Sequence, residues 1–427
     1  RNFGSISMIT ASLRIENTSL STKIGEIRIS DIGALVWINL LMFQGALQDL
    51  IPLLAYLDEI TAMGLIIASL FVKRPKRLYR TELLGVSALI ICTFTALFGN
   101  LLFGYQHNQV AVVLDIATYW KFFLVYLCAL RINFDTKRLA NLLMVEAKIL
   151  LPIMAIFAML NYIGVVDMTY EYKYGLPAFE FLFFHPTFMT FVLVGMVALV
   201  LSKKPSISWE IFFAFLLIAT GLRTKGLAFC GVAVFFLIVL RKKRKVPIYV
   251  IAGAGLVALY IGWDQLSFYL SNDEFARTAL TNTSLSVARD CFPLGSGFAT
   301  YGSNMSGVYY SPLYSMYGLN NIYGMSEDFT SYLTDTFWPI IIAQNGVLGF
   351  ACFIIGLFLI LRSAIVRARN LNVLLPVLCI IVYLLICSTS ETSFFNPYSI
   401  YLAIMLIVCL NGTDCNGDAN MAQRQGR

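Results

Sequence analysis

Long apolar runs alternate with short polar segments along almost the whole chain. Crossing the hydrocarbon layer of a bilayer takes about 20 mainly apolar residues in a helix. We predict spanning helices at 32–50, 54–72, 82–104, 112–130, 140–165, 182–202, 208–222, 226–240, 246–263, 336–361, 372–388 and 397–410. The first of these runs is interrupted by Gln44, Gln48 and Asp49. The pattern predicts an all-α polytopic integral membrane protein with about 12 transmembrane helices.

One long polar interval, 264–335, interrupts the apolar runs. We predict that it forms a single large extracytoplasmic loop between two parts of one helical bundle. The predicted division is a cytoplasmic N-terminal segment (1–31), spans 1–9 (32–263), the large loop (264–335), spans 10–12 (336–410) and a cytoplasmic tail (411–427).

Composition supports the membrane class. The chain is 59% hydrophobic and 13% charged, with a mean hydropathy of +0.76, whereas soluble domains carry roughly 25% charged residues. Its net charge of +7 is better explained by cytoplasmic loops than by nucleic-acid binding. We therefore expect the lipid bilayer, and no nucleic acid, as a partner.

The distribution of Lys and Arg predicts the orientation. With twelve spans and both termini in the cytoplasm, 24 of these residues lie in cytoplasmic segments and five lie outside, as the positive-inside rule expects. Lys121 and Lys148 fall within spans. The five outer cations are Lys173, Arg223, Lys225, Arg277 and Arg289.

Two of the outer cations, Arg223 and Lys225, share the tight hairpin GLRTKG. An Arg fork and a compact Lys charge near a membrane surface suit a lipid-linked phosphate. The same side chains could instead reach lipid headgroups without further function.

Arg277 and Arg289 lie in the large loop, twelve residues apart. One helix would point both to similar, though not identical, sides. The apolar positions between them allow an amphipathic helix on the membrane. The alternative is pairing with neighbouring acids on a solvated face: Asp273, Glu274 or Asp290.

The large loop also carries acids, glycines and many Tyr residues. Glu327, Asp328 or Asp335 could serve as a general base. Gly295 and Gly297 allow a turn in which the backbone approaches a ligand closely. Aromatic residues such as Tyr301 suit sugars, but Tyr is equally an ordinary residue of the membrane interface.

Outside the loop, two further residues are candidates. His185, in FHPTF, opens the sixth predicted span at the outer face and could act in proton transfer. Lys121 lies inside the fourth span, where a cation is costly and usually functional or paired. With Asp115, six residues earlier, it could bind a lipid phosphate or brace the bundle. The nine Cys form no CxxC or Cys/His cluster, so we expect no metal and no cofactor.

These features occur in an order that resembles the bacterial O-antigen polymerase/ligase superfamily, which includes Wzy-type capsule and exopolysaccharide polymerases. The resemblance covers most of the chain. It rests on the D-x(5)-K of Asp115 and Lys121, the HP at 185–186, the hairpin at 223–225, and the loop segments ARTALTNTSLSVARDCFPLGSGFATYGS and TDTFWPIIIAQNGVLG.

The resemblance implies a metal-independent glycosyltransferase of the GT-C type. It would join oligosaccharides carried on undecaprenyl pyrophosphate at the outer face of the bacterial cytoplasmic membrane, with a flippase and a chain-length regulator as further partners. Arg277 matches the family's loop Arg, Arg223 or Lys225 its hairpin cation, and Arg289 matches less closely.

The loop His of the ligases is missing between 264 and 335, which favours a polymerase. Asp335, Glu327 or Asp328 then remains as the base, with His185 as the fallback. A ligase-type transfer to an acceptor and an unrelated membrane transporter stay open as alternatives.

Overall fold

The computed structural model describes residues 29–73, 75–132, 136–242, 253 and 276–412. In the first half of the chain the helices are α1 Ile29–Met42, α2 Gln44–Gln48, α3 Leu57–Leu70, α4 Arg80–Phe103, α5 Gln109–Ile132, α6 Lys137–Tyr162, α7 Pro186–Lys203, α8 Trp209–Thr220 and α9 Thr224–Lys242. A 3₁₀ turn, Pro52–Tyr56, leads directly into α3.

The second half contributes the remaining helices: α10 Ala276–Asp290, α11 Asn304–Val308, α12 Pro312–Met316, α13 Trp338–Arg367, α14 Leu371–Cys387 and α15 Pro397–Asn411. Proline stands in the first turn of α7, α13 and α15, where its missing N–H costs no hydrogen bond. These three helices therefore begin at an Xaa-Pro step.

Within the described residues, six helices are long and apolar enough to cross a membrane: Pro52–Leu70, Arg80–Phe103, Gln109–Ile132, Lys137–Tyr162, Pro186–Lys203 and Trp338–Arg367. The same part of the chain holds five shorter apolar helices, among them Trp209–Thr220 and Pro397–Asn411. The chain is thus a helical, membrane-embedded protein. The span predicted at 246–263 lies outside the described residues, and the count of twelve stays a prediction.

The first predicted span is not one continuous helix. It divides into α1 and α2 at Phe43, and α2 ends close to the polar residues Gln48 and Asp49. The predicted tenth span is also broken, because Gly346 inside α13 has non-helical angles (φ 66°, ψ −173°). Such angles are accessible essentially to glycine alone.

Helix α7 lies at the centre of the bundle, with most of its length buried, and packs against α8, α14 and α15. Helices α4 and α13 pack along each other. At the start of α4, Glu82 accepts two hydrogen bonds of 2.7 Å from Arg367 at the end of α13. This buried pair fixes the two helices in an antiparallel arrangement.

The segment between α6 and α7 is not a plain loop. It forms an antiparallel hairpin of β1 Thr169–Lys173 and β2 Leu176–Phe179, a small departure from the all-α prediction. The described part of the large loop, from 276 onward, has a compact interior of its own, formed by buried residues that include Leu280, Val287, Tyr301, Tyr314 and Met325. The loop is therefore a folded cap on the bundle.

Candidate functional site

Charged side chains from five separate segments meet at one end of the bundle. Four of these segments are the β-hairpin, the residue before α7, the turn that leads into the start of α9, and the start of α10. The fifth is formed by the two loops that precede α13 and α15. We call these residues the ionic cluster: Glu171, His185, Arg223, Lys225, Arg277, Asp335 and Glu391.

Arg223 forms the first part of the ionic cluster. Its Nη1 lies 3.3 Å from Oε1 of Glu171, and its Nη2 lies 3.3 Å from Nε2 of His185. The guanidinium also stands over the Tyr170 ring, 5.1 Å from the ring centre. Its Nε is buried, and no described residue accepts a hydrogen bond from it. Arg223 is therefore held in place with one donor still to be satisfied.

His185 is the N-cap of α7. Its Nδ1 accepts a hydrogen bond of 3.1 Å from the backbone N–H of Thr187, and its ring meets the Tyr170 ring edge-on with centroids 4.6 Å apart. Burial, together with the charge of Arg223, lowers the pKa of His185 to about 4. The imidazole is neutral at physiological pH and positions its neighbours.

Lys225 and Glu391 form a close ion pair. Oε1 of Glu391, the oxygen that contacts Lys225, also accepts a hydrogen bond of 3.3 Å from the hydroxyl of Thr187 in α7. Burial disfavours the charged carboxylate, but Lys225 outweighs that cost, so the pKa of Glu391 is lowered. Glu391 is thus an anion that links the α14–α15 loop to α7 and α9.

Arg277 and Asp335 form the third pair, with Nη2 of Arg277 3.0 Å from Oδ2 of Asp335. Their side chains are 25% and 31% exposed, which leaves both accessible to a ligand. Burial raises the pKa of Asp335, although Arg277 acts in the opposite direction. Lys225 and Glu391 also act on Asp335, so the second and third pairs belong to one electrostatic unit.

A small cavity of about 60 Å³ adjoins the ionic cluster. Its walls include Thr334 and Thr392, the chain neighbours of Asp335 and Glu391, and also Asp115 and Gln344. The volume holds a few water molecules and is too small for a sugar ring.

The structure thus brings together five of the residues selected from the sequence: His185, Arg223, Lys225, Arg277 and Asp335. Sequence reasoning did not select Glu391 or Glu171. For Glu391 a signal was present, because it is the only Asp, Glu, Lys, Arg or His between Arg369 and Asp414. A lone charge between two apolar helices needs a partner, and here the partner is Lys225.

Lys121 lies elsewhere in the bundle. It is buried within α5 and pairs with Asp58, and its Nζ lies 2.9 Å from Oε1 of Glu59. It does not pair with Asp115, the partner considered from the sequence, whose Oδ2 accepts hydrogen bonds from the Ala299 N–H at 2.6 Å and from Gln344 at 3.0 Å. Of the two roles predicted for Lys121, these contacts favour bracing the bundle.

Gly295 and Gly297 approach protein backbone and not an open site. A Cβ on Gly295 would lie 2.2 Å from the Gly346 nitrogen, and one on Gly297 would lie 2.4 Å from Cγ of Asn100. The Gly297 N–H donates to the Gln344 oxygen at 3.0 Å. The turn therefore fits into the break of α13, because only glycines let the two backbones come so close.

Tyr301, predicted to face the substrate, is fully buried in the loop interior, where its hydroxyl donates to the Leu280 carbonyl at 2.6 Å. Arg289 lies on the predicted helix α10, but its side chain is 79% exposed and pairs with Asp290. It is not among the contacts of the ionic cluster, and its own contact matches the solvated alternative.

Glu327 and Asp328 are exposed on the turn closed by the bridge between Ser326 and Phe329. They are not among the contacts of the ionic cluster described above, whereas Asp335 is. Of the three acids considered as a general base, Asp335 is the one that the structure places beside cations.

Among the described residues, no group of three or more His, Cys, Asp or Glu side chains could hold a metal ion. No protein-family model matches the chain, and no curated protein matches it. The chemistry of the ionic cluster is therefore the principal guide to function.

Proposed function

We propose that the chain is a membrane glycosyltransferase that polymerises oligosaccharide repeat units carried on undecaprenyl pyrophosphate into a surface polysaccharide. The observation that carries the proposal is the ionic cluster, in which three cations converge at one end of a membrane-embedded helical bundle. In the proposed topology of twelve spans, this end faces the outside of the cytoplasmic membrane.

A pyrophosphate leaving group needs cations placed where negative charge develops. Arg223 and Arg277 offer planar forks that match phosphate oxygens, and Lys225 offers a compact charge. All three are only partly buried, with side-chain exposures between 14% and 25%. The unsatisfied Nε of Arg223 provides a donor that a phosphate oxygen would satisfy.

Each cation is paired with a carboxylate before substrate binds. This arrangement keeps the partly buried charges neutralised. In our proposal the pyrophosphate takes over the cations, and Asp335 is released from Arg277. Without that neighbouring cation the pKa of Asp335 rises further, which makes the carboxylate a stronger base.

The proposed reaction transfers a glycosyl group. The bond between the anomeric carbon of the growing chain and the pyrophosphate oxygen breaks, and its electron pair leaves with undecaprenyl pyrophosphate. A new bond forms between that carbon and a hydroxyl oxygen of the incoming repeat unit. The hydroxyl proton passes to Asp335, while Arg223, Lys225 and Arg277 stabilise the leaving group.

The test is a gel of surface polysaccharide from cells that lack this gene, with and without complementation. We expect the high-mass ladder to disappear and single lipid-linked repeat units to accumulate, both reversed by the intact gene. A ladder of lipid-linked polymer that never reaches its final acceptor would support a ligase instead. Unchanged glycan would reject both and leave a transporter as the better explanation.

A further inference from the structure

Three aromatic rings lie in contact on the outer surface of the large loop. The centroid of the Tyr323 ring is 5.2 Å from that of Phe329 and 6.1 Å from that of Tyr332, and the last two are 6.4 Å apart. The three residues are 75%, 40% and 39% exposed, in that order. We call them the aromatic patch. Contiguous exposed apolar side chains, unlike single ones, commonly mark an interaction site.

The aromatic patch is held by a tight backbone turn. The N–H of Tyr332 donates to the carbonyl of Gly324 at 3.0 Å. Gly324 has a φ of 80°, and a Cβ there would lie only 2.2 Å from the Tyr332 ring. Ser326 and Phe329 close the turn through an antiparallel bridge. The rings are therefore arranged before any ligand arrives, which lowers the entropy cost of binding.

The charged residues within the turn that carries the aromatic patch are both acidic. Glu327 and Asp328 are exposed within the same turn, and no Lys or Arg occurs from 290 to 361. Surfaces that bind anionic headgroups carry cations, so this composition opposes binding to anionic lipid. Carboxylates instead accept hydrogen bonds from hydroxyl groups, and the negative faces of aromatic rings attract the C–H faces of sugars.

We propose that the aromatic patch is a binding site for an uncharged oligosaccharide, with sugar rings stacked on Tyr323 and Phe329 and their hydroxyls donating to Glu327 and Asp328. This inference rests on the proposed function, which supplies the repeat-unit oligosaccharide as the ligand. Tyr332 precedes Asp335 by only three positions. The patch therefore holds part of the glycan while the linkage at Asp335 is made.

The experiment measures glycan binding separately from polymerisation. The full chain is purified in detergent and titrated with neutral oligosaccharides released by mild acid from the surface polysaccharide of the same cells. Saturation-transfer NMR gives the Kd for the native chain and for Tyr323→Ala with Phe329→Ala. Tyr174→Ala, which removes a ring that is 84% exposed on the β-hairpin, is the matched control.

We expect the paired substitution to weaken binding roughly tenfold or more, with Tyr174→Ala unchanged and thermal unfolding of all three proteins alike. Equal affinity in the paired variant, or no binding by the native chain, would overturn the inference. The polymer ladder of cells that carry Arg277→Ala is measured on a gel, separately from glycan binding. If Arg277→Ala abolishes the ladder and the patch variant binds normally, only this inference fails. If patch-dependent binding is found and deletion of the gene leaves the ladder intact, the proposed function fails instead.

Discussion

Arg277 and Asp335 form an ion pair of 3.0 Å although 58 positions separate them in the chain. They stand near the two ends of the large loop, one at the start of α10 and the other just before α13. The pair therefore closes the loop over the bundle and joins it to the ionic cluster. Because it is partly exposed, a charged ligand can compete for either partner.

Arg277→Ala should abolish long polymer while the protein remains in the membrane. Loss of one cation at a developing negative charge costs roughly a hundredfold or more in rate. Arg289→Ala is the matched control, because the Arg289 side chain is exposed and lies on the same helix. The measurement is the rate of polymer formation in isolated membranes. Equal loss in both variants would point to the helix and not to the ionic cluster.

The pH dependence of polymerisation should respond to the same residue. A general base must be deprotonated, so activity falls as the pH drops through the raised pKa of Asp335. In the enzyme without substrate Arg277 lowers that pKa. Arg277→Gln should therefore raise it and move to higher pH the acid limb of kcat/KM, which reports the free enzyme. The measurement is the pH profile of the residual activity of Arg277→Gln, and Arg289→Gln is the control. An acid limb that moves to lower pH, or does not move, would exclude Asp335 as the base.

His185 should not contribute a step to that profile at neutral pH. Its pKa of about 4 keeps it neutral, and its Nδ1 is occupied by the Thr187 N–H. His185→Asn, which retains a possible cap for α7, should lower the rate without moving the pH limb. A limb near the ordinary His value that disappears in this variant would show that the imidazole titrates during the reaction.

Lys225 and Glu391 should prove to be coupled. Lys225→Glu and Glu391→Lys each place like charges together in a partly buried site, and each should lower the thermal stability of the purified protein. The double variant restores an opposite pair, so we expect a coupling energy of at least about 1 kcal/mol. The unfolding of four proteins in one detergent, the native chain, the two single variants and the double variant, gives the cycle. Additive losses would contradict the pairing of these residues.

Lys121 should matter for stability. Lys121→Met leaves Asp58 buried without its cation, which costs about 3 kcal/mol or more. Adding Asp58→Leu removes that charge and should restore most of the stability. Glu59→Gln should have a small effect, since the Glu59 side chain is 45% exposed. If the double variant is stable yet makes no polymer, Lys121 has a role in the reaction after all.

Gly346 should tolerate no side chain. Gly346→Ala places a Cβ 2.3 Å from the Gly295 nitrogen, in addition to its positive φ, so we expect severe loss of folded protein. Gly318→Ala is the control, because Gly318 also has a positive φ (70°) but no heavy atom closer than 3.9 Å to the added Cβ. That variant should lose only about 1 kcal/mol. Similar losses in both variants would mean that the fit of the loop into α13 contributes little to the stability of the protein.

The sequence by itself determined where most helices lie and which cations stand at the ends of apolar runs. Hydropathy and Lys/Arg counts are properties of short segments. The described helices match the predicted apolar runs within a few residues, as α4 matches the run 82–104. It also selected His185, Arg223, Lys225, Arg277 and Asp335 as candidates, because polar residues at the ends of apolar runs are visible without a structure.

Only the tertiary structure decided which charges meet. Glu391 pairs with Lys225 across 166 positions, and Lys121 pairs with Asp58 and Glu59 on another helix. The same is true of Gly295, whose backbone fits against the break in α13. Ion pairing and backbone approach act over a few ångströms, so they depend on how distant helices pack, and local patterns in the sequence carry no information about that distance.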